Sequence, residues 1–252
     1  MTKKLTSSDI YDINKKTGEK IMRDDICTIP VSEVFEHNDG CPICRMRDTI
    51  EERMTDYILG DAMMEPDVRI ETNKTGFCEH HYNNMMSRRG RLQLALMLQT
   101  HINEINGEIF KKKLFNTDSK KTGNAKNITD SCFICSKIEW GLSRMIDTVY
   151  RCYETQKDFR DMFNSQSMFC LPHYERLLGG ASKRNMKSYY SEFSENLNRI
   201  TGEYSKSLYD DLSKYCTMYD YRSRDGETDW GNSRDAVERT VAFLNGRIYD
   251  VY

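Results

Sequence analysis

Residues 41–44 read CPIC and residues 77–82 read FCEHHY, and these two motifs decide how the chain folds. Residues 132–135 read CFIC and residues 169–174 read FCLPHY, so the same order of motifs occurs a second time. In both copies a phenylalanine precedes the third cysteine, a tyrosine follows the histidine, and 33 or 34 residues separate the second cysteine from the third. An internal duplication is the economical explanation of this agreement.

Each copy of the pattern supplies three cysteines and one histidine. A Cys-x2-Cys turn directs two thiolates at one point, and a second turn carrying Cys and His completes the tetrahedral shell that zinc prefers. Thiols at helix N-termini also ionise more easily. We therefore predict two metal sites, one in each repeat. The eight predicted ligands are Cys41, Cys44, Cys78, His81, Cys132, Cys135, Cys170 and His173. The sequence leaves open whether each repeat fills its own site or exchanges ligands with the other.

The kind of metal is a separate question. Three cysteines and one histidine fit zinc best, and an iron-sulfur cluster is the alternative. The chain has nine cysteines, and in a reduced compartment clustered thiols are better explained as ligands than as a disulfide framework. In the first copy His81, rather than His80, has the same spacing as His173. His37, four residues before Cys41, is a minor alternative ligand.

Composition and periodicity predict an all-α protein. The chain has four prolines, 38% hydrophobic residues and 30% charged residues, which is typical of helical proteins. Apolar residues recur at helical spacing after each Cys-x2-Cys and again after each Cys-x2-His. Gly60 and Pro66 are expected to end the first of these helices, whereas the second copy has no proline there and is expected to continue. We thus expect two duplicated helical-hairpin units, each pinned by a metal site, with long helices and a C-terminal helix.

The predicted organisation has five parts. Residues 1–30 form an N-terminal extension, 31–115 the first metal-binding helical repeat, 116–130 a linker, 131–220 the second metal-binding repeat, and 221–252 a C-terminal helix and tail. The linker is placed where Lys, Asn, Thr, Ser and Gly are frequent.

The C-terminal helix is predicted to begin with Ser233 as its N-cap and to end at Gly246. Its apolar residues are Ala236, Val237, Val241 and Leu244. We expect this helix to pack as a lid on the helical body.

The closed ligand sets favour a structural role over catalysis. Four protein ligands leave no obvious open position on a metal, so we predict a non-enzymatic helical protein that presents a surface to a protein partner or to RNA. The net charge of −2 and the pI near 6.2 argue against general attraction to nucleic acid, which makes RNA the weaker candidate. An iron-sulfur redox protein is the first alternative. A zinc enzyme that uses Glu79 or His80 as acid-base is the second.

Several common signatures are missing from the sequence. No phosphate-binding glycine loop, Ser-His-Asp order or dinucleotide fingerprint occurs, which weakens the case for an enzyme. The lysines near the N-terminus are not followed by an apolar h-region, and no segment approaches the apolar length needed to span a bilayer. We expect a cytoplasmic protein with no membrane contact.

A few cysteines and histidines fall outside the pattern. Cys27, Cys152 and Cys216 have no motif partners, and the last two are expected to be buried helix residues. His101 lies in a predicted helix and is expected to be a core or surface histidine rather than a catalytic one.

The motifs also resemble those of a known family. The residues that carry the resemblance are Cys41-Pro42-Ile43-Cys44, Gly76-Phe77-Cys78 with His81, Cys132-Phe133-Ile134-Cys135, Phe169-Cys170 with His173, Pro66-Asp67-Val68-Arg69 and Trp230-Gly231-Asn232. They are similar to a bacterial domain-of-unknown-function family, family 6062, whose members carry the same duplicated pattern. The resemblance extends from about Ile26 to Gly246. It implies no particular activity.

Overall fold

The computed structural model describes residues 28–110, 117–182, 186–219 and 229–246. Within these ranges the chain is all-α, which confirms the predicted fold class. The helices are α1 (Thr28–Phe35), α2 (Pro42–Leu59), α3 (Pro66–Thr75), α4 (Glu79–Ser87), α5 (Arg91–Ile105), α6 (Asp118–Thr129), α7 (Phe133–Thr155), α8 (Lys157–Asn164), α9 (Leu171–Gly180), α10 (Tyr190–Tyr219) and α11 (Ala236–Asn245). None of the described helices combines the length and the apolar character that a membrane crossing requires.

The two Cys-x2-Cys motifs begin the helices at the centre of the molecule. Cys41 precedes α2, and Pro42 occupies the first turn, where a missing N–H costs nothing. Cys132 takes the same position before α7, and its Sγ accepts a hydrogen bond from the backbone N–H of Cys135 at 3.5 Å. Both motifs therefore lie at helix starts, as predicted.

The lengths of these two helices differ as the sequence predicted. Helix α2 has 18 residues and is followed by Gly60, after which Pro66 opens α3. Helix α7 has 23 residues and continues to Thr155, because no proline interrupts the second copy.

The helices follow the same order in the two halves of the chain. Helices α1 and α6 each precede a Cys-x2-Cys helix, α3 and α8 follow it, α4 and α9 carry the Cys-x2-His motif, and α5 and α10 come next. Helix α6 lies within residues 116–130, where we expected a linker. The Thr117 hydroxyl accepts a hydrogen bond from the backbone N–H of Lys120 and starts this helix despite its polar composition. The stretch is thus helical, and the five-part division stays a prediction.

Helices α2 and α7 form the largest helix contact of the described chain. The start of each helix shares a hydrophobic core with the end of the other, which shows that the two helices run in opposite directions. A Cβ on Gly141 would lie 3.2 Å from Ile50 Cδ1, so the missing side chain lets the helices approach closely. Both residues lie nine positions after the first cysteine of their motifs, which places equivalent positions at the crossing.

Two hydrophobic cores lie along this helix pair, and each combines both halves of the chain. The larger core joins Phe35 and Met46 to an aromatic group from the second half. That group is Tyr150, Tyr153, Phe159, Phe163, Phe169 and Phe193. The smaller core joins Ile58 and Met97 to Phe133. Each such fully buried large side chain contributes about 1.5–3 kcal/mol, so the halves depend on each other for burial.

The outer helices also make contacts between the two halves of the chain. Helix α1 of the first half packs on α7 and α8 of the second, and α6 of the second half packs on α3 of the first. Each half therefore reaches across to cover part of the other.

The C-terminal helix packs on α9 and α10, as expected for a lid. Gly246 ends it in the left-handed conformation with a φ of 69°, as predicted. The predicted N-cap is wrong. Ser233 lies in a short 3-10 turn, where its Oγ donates to the carbonyl of Trp230 at 2.7 Å, and Asp235 precedes α11 instead.

Helix α11 turns only part of its apolar surface toward the body. Ala236 is buried, whereas Val237, Val241 and Leu244 are exposed. Phe243 is also buried, and the centroid of its ring lies 5.8 Å from that of the Tyr204 ring.

Candidate metal centres

The eight predicted ligands converge in space as two groups of four. The first quartet is Cys41, Cys44, Cys170 and His173, and the second quartet is Cys78, His81, Cys132 and Cys135. Within each quartet one ligand atom from every residue lies within 4.8 Å of the others. Each quartet takes its Cys-x2-Cys from one half of the chain and its Cys-x2-His from the other. The sequence predicted one site for each half and left open whether the halves exchange ligands, and in the structure each quartet spans both halves.

The direction of the central helices explains the exchange. Since α2 and α7 run in opposite directions, their first turns lie at opposite ends of the pair, each beside the Cys-x2-His helix of the other half. Hydrogen bonds to backbone carbonyls hold these junctions. Near the second quartet Phe133 N donates to the Gly76 carbonyl at 3.0 Å. Near the first quartet Gln166 Nε2 donates to the Phe35 carbonyl at 2.7 Å.

Distances in the first quartet fit a single tetrahedral ion. His173 Nδ1 lies 3.1 Å from Cys170 Sγ and 3.3 Å from Cys44 Sγ. It lies 3.6 Å from Cys41 Sγ, and Cys44 Sγ is 3.5 Å from Cys170 Sγ. Zinc–sulfur bonds of about 2.3 Å at tetrahedral angles would put two sulfur ligands about 3.8 Å apart. All of these cysteines are free, and their sulfurs are too far apart for a disulfide.

The second quartet repeats this geometry. His81 Nδ1 lies 3.1 Å from Cys78 Sγ, 3.3 Å from Cys132 Sγ and 3.5 Å from Cys135 Sγ. The sulfurs of Cys78 and Cys135 are 3.8 Å apart. The donor set and spacing of both quartets therefore suit a metal that prefers soft ligands in a tetrahedron.

Charge is unevenly distributed over the thiols of the first quartet. Burial opposes ionisation of Cys41, yet hydrogen bonds with Cys170, Cys44 and His173 hold its pKa well below the usual value. Contact with Cys170 and Cys41, together with burial, raises the pKa of Cys44. Contact with Cys41 likewise raises the pKa of Cys170 to about 12. A bound dication would allow all three thiols to ionise together.

The second quartet contains a thiolate and an imidazolium in the absence of metal. Burial opposes ionisation of Cys132, but the hydrogen bond with His81 lowers its pKa to about 6. Burial also opposes protonation of His81, but Cys132 and Glu51 raise its pKa to about 10. Burial and the charge on Cys132 raise the pKa of Cys135. A metal must therefore displace protons from this quartet as it binds.

A buried carboxylate supports the second quartet and was missed by sequence reasoning. Glu51 is 6% exposed, and its Oε1 accepts a hydrogen bond from His80 Nε2 at 2.7 Å. The same oxygen lies 3.1 Å from His81 Nε2, a contact too poorly aligned to satisfy that nitrogen as a hydrogen bond but close enough to stabilise its charge. Carboxylates behind histidine ligands orient the ring and make it more basic.

The two copies differ at these supporting positions. Leu142 stands where Glu51 stands in the first copy, ten residues after the first cysteine of the motif, and Pro172 stands in place of His80. The first copy has a glutamate where the second has a leucine. This difference was the sequence signal that could have indicated a special role for Glu51.

The end of the C-terminal helix lies against the first quartet. The Gly246 carbonyl accepts hydrogen bonds from Cys44 Sγ at 3.0 Å and from Arg47 at 2.9 Å. A Cβ on Gly246 would lie 3.2 Å from Cys170 Sγ. Glycine is therefore needed here both for its backbone conformation and for space beside the sulfurs.

The remaining candidate histidines lie elsewhere. His37 belongs to neither quartet, and it lines a cleft between α1, α2 and α7. His101 is buried, and its Nδ1 donates to the Asn73 carbonyl at 2.8 Å, which agrees with a structural role. Glu79, the candidate acid-base residue, is exposed and belongs to neither quartet.

The remaining cysteines divide into three cases. Cys152 is buried in α7, as expected. Cys216 was expected to be buried, but it is exposed on α10. Cys27 lies outside the described residues.

Two Cys3His quartets that join the halves of an all-α chain define a class of helical protein with two candidate metal centres. The chain belongs to the family described as "Family of unknown function (DUF6062)", whose model matches residues 22–251. This confirms the resemblance drawn from the motifs. Neither the curated proteins nor the solved structures include a match to the chain.

Proposed function

We propose that the chain is a zinc protein in which two structural zinc ions fasten the two halves to each other. The exchange of ligands carries this proposal, because each quartet is complete only when a Cys-x2-Cys from one half meets a Cys-x2-His from the other. Structural zinc in four-ligand sites contributes directly to folding. The role of each ion would be to fix one end of the α2–α7 pair.

Zinc is supported over an iron-sulfur cluster by the size of the quartets. All four ligand atoms of each quartet lie within 4.8 Å of one another, which suits a single central ion. A cluster of several irons would hold its ligands further apart. A catalytic zinc is less well supported, since catalytic sites keep one position open and each quartet offers four protein ligands.

A protein partner is the proposed target of the surface that these ions support. Val237, Val241 and Leu244 are exposed on α11, whose end at Gly246 touches the first quartet. Loss of the first zinc would therefore disturb this surface. RNA is the weaker proposal, because the net charge of the chain is −2.

Two paired variants test the exchange directly through metal content. Cys44→Ser/His173→Ala removes two ligands from the first quartet and leaves the second intact, so we expect about one tightly bound zinc per chain. Cys44→Ser/His81→Ala removes one ligand from each quartet, so we expect both sites to be weakened. Elemental analysis after dialysis against a weak chelator measures the content.

If each half fills its own site, the two variants should show the opposite zinc contents. In that case Cys44→Ser/His81→Ala would keep one zinc, and Cys44→Ser/His173→Ala would weaken both sites. A brown protein with charge-transfer absorption after anaerobic purification would overturn zinc in favour of iron and sulfur.

A further inference from the structure

A cleft between α1, α2 and α7 lies away from both quartets. It has a volume of about 700 Å³, within the range of pockets that hold small organic ligands, roughly 300–1,000 Å³. Both halves of the chain line it, since α1 and α2 belong to the first half and α7 to the second.

The charged lining of the cleft is mostly positive. Four arginines from α2 and α7 line it, opposed by two carboxylates, which leaves an excess of two positive charges. The arginines are Arg45, Arg53, Arg144 and Arg151, and the carboxylates are Glu33 and Asp147. Arginine is suited to carboxylate, sulfonate and phosphate groups because its planar fork donates two parallel hydrogen bonds.

One of these arginines is held in place by an aromatic ring. The Arg144 guanidinium carbon lies 4.3 Å from the centroid of the Trp140 ring, within reach of a cation–π interaction. Arg45 by contrast already pairs with Asp39. Arg53, Arg144 and Arg151 are exposed, and Arg53 and Arg144 offer an anion from solvent one guanidinium from each of the two helices.

The inner wall of the cleft is apolar. Met46 is fully buried, and Ile50 and Met145 are half-buried beside it, where α2 and α7 cross. Methionine adapts its shape to different apolar ligands. The cleft thus combines an apolar wall with a cationic rim.

We propose that this cleft binds a small organic anion with an apolar body, such as a medium-chain carboxylate. The acid group contacts Arg53 and Arg144 at the rim, and the apolar body lies on Ile50 and Met145. The small volume of the cleft favours a small molecule over an RNA strand, which would need a basic surface extending along the backbone. The site stands apart from the metal proposal, because none of the eight quartet residues lines the cleft.

Binding of anilinonaphthalene sulfonate to the full zinc-loaded chain tests the proposal. This probe carries a sulfonate on an apolar ring system, and Trp140, one of two tryptophans in the chain, lies beside Arg144 and reports its arrival by energy transfer. We expect one site per chain, competition by decanoate, and at least tenfold weaker binding in Arg53→Glu/Arg144→Glu.

A matched control separates the cleft from general charge effects. Arg89→Glu/Arg91→Glu changes the net charge by the same amount at exposed positions outside the cleft, and we expect it to bind the probe like the parent chain. Arg53→Gln/Arg144→Gln, checked for parent-like circular dichroism, guards against a folding defect in the glutamate variant.

Three results would overturn the proposal. One is equal weakening in the cleft and control variants, which would indicate bulk electrostatics. Another is probe binding with no energy transfer from Trp140 and no dependence on Arg53 and Arg144. The third is displacement of the probe by inorganic phosphate as efficiently as by decanoate, which would remove the need for an apolar body.

Discussion

The two quartets have the same donor atoms but different surroundings. The first quartet lies on the large aromatic core, and Cys41, Cys170 and His173 are all buried. The second lies on the smaller core, exposes Cys135 and has the Glu51 carboxylate behind His81. Motif spacing therefore sets the identity of the ligands, whereas the neighbouring side chains set how accessible and how proton-dependent each site is.

Removing both metals should give the largest effect. Structural zinc contributes several kcal/mol or more to folding, and each kcal/mol corresponds to roughly 2–4 °C for a chain of this size. We expect chelation to lower the melting temperature by about 10 °C or more. We also expect zinc release in two phases, the second quartet first, because Cys135 is exposed. Scanning fluorimetry and a colorimetric zinc assay measure the two effects.

Single variants assign the phases of release. Cys78→Ser should abolish the fast phase, and Cys170→Ser should abolish the slow one and cost more stability, since Cys170 lies in the aromatic core. A single phase in the parent chain, or the opposite assignment, would show that burial does not control release.

The next largest effect should be that of pH on metal affinity. His81, with a pKa of about 10, and Cys135, with a raised pKa, carry protons at neutral pH in the metal-free chain. Metal binds the deprotonated ligands, so affinity should rise with pH by about tenfold per unit for each proton released. Titration calorimetry of Cys44→Ser/His173→Ala in buffers of different ionisation enthalpy counts these protons. A proton count of zero would contradict the thiolate–imidazolium pair.

Replacing the supporting carboxylate should change the metal affinity of the two quartets differently. Glu51→Gln removes the negative charge behind His81, and loss of such a partner weakens metal binding about 10–100-fold. The effect should appear in the Cys44→Ser/His173→Ala background, which keeps the second quartet. In the Cys78→Ser background, which keeps the first, no change is expected. Glu52→Gln, an exposed neighbour, serves as the control.

The smallest predicted effect concerns the glycine at the first quartet. Gly246→Ala forces a side chain into the left-handed region at a cost of about 1–2 kcal/mol and into contact with Cys170 Sγ. We expect lower stability in chemical denaturation and faster release from the first quartet alone. Gly202→Ala in the interior of α10, where nothing lies within 4 Å of a new Cβ, should instead stabilise the chain by about 0.5–1 kcal/mol.

Much of the fold was predictable because its signals are local. Cys41 and Cys132 start helices, Gly60 ends one and Pro66 opens the next, through the backbone preferences of the residues themselves. Helix α6 was missed because its polar composition resembles a loop, and its packing on α3 is not visible in sequence. Cys216 was misjudged for a similar reason, since helical position alone does not fix which side faces the core.

The pairing of the ligands could not be predicted from spacing. Intervals of 33 and 34 residues allow a Cys-x2-Cys to meet either Cys-x2-His. The choice depends on the opposite directions of α2 and α7, which in turn depend on long-range packing such as the contact between Ile50 and Gly141. Glu51 belongs with these long-range features, because its role appears only when α2 lies beside α4.

The exchange of ligands also affects the chain while it is being made. Cys44 and its partner Cys170 are 126 residues apart, so at about 5–20 residues per second the ribosome needs roughly 6–25 s to deliver the second thiol after the first. During that time Cys41 and Cys44 lack their native partners, Cys170 and His173. Nascent chains should therefore be most sensitive to oxidants before synthesis passes His173, and most resistant once it has.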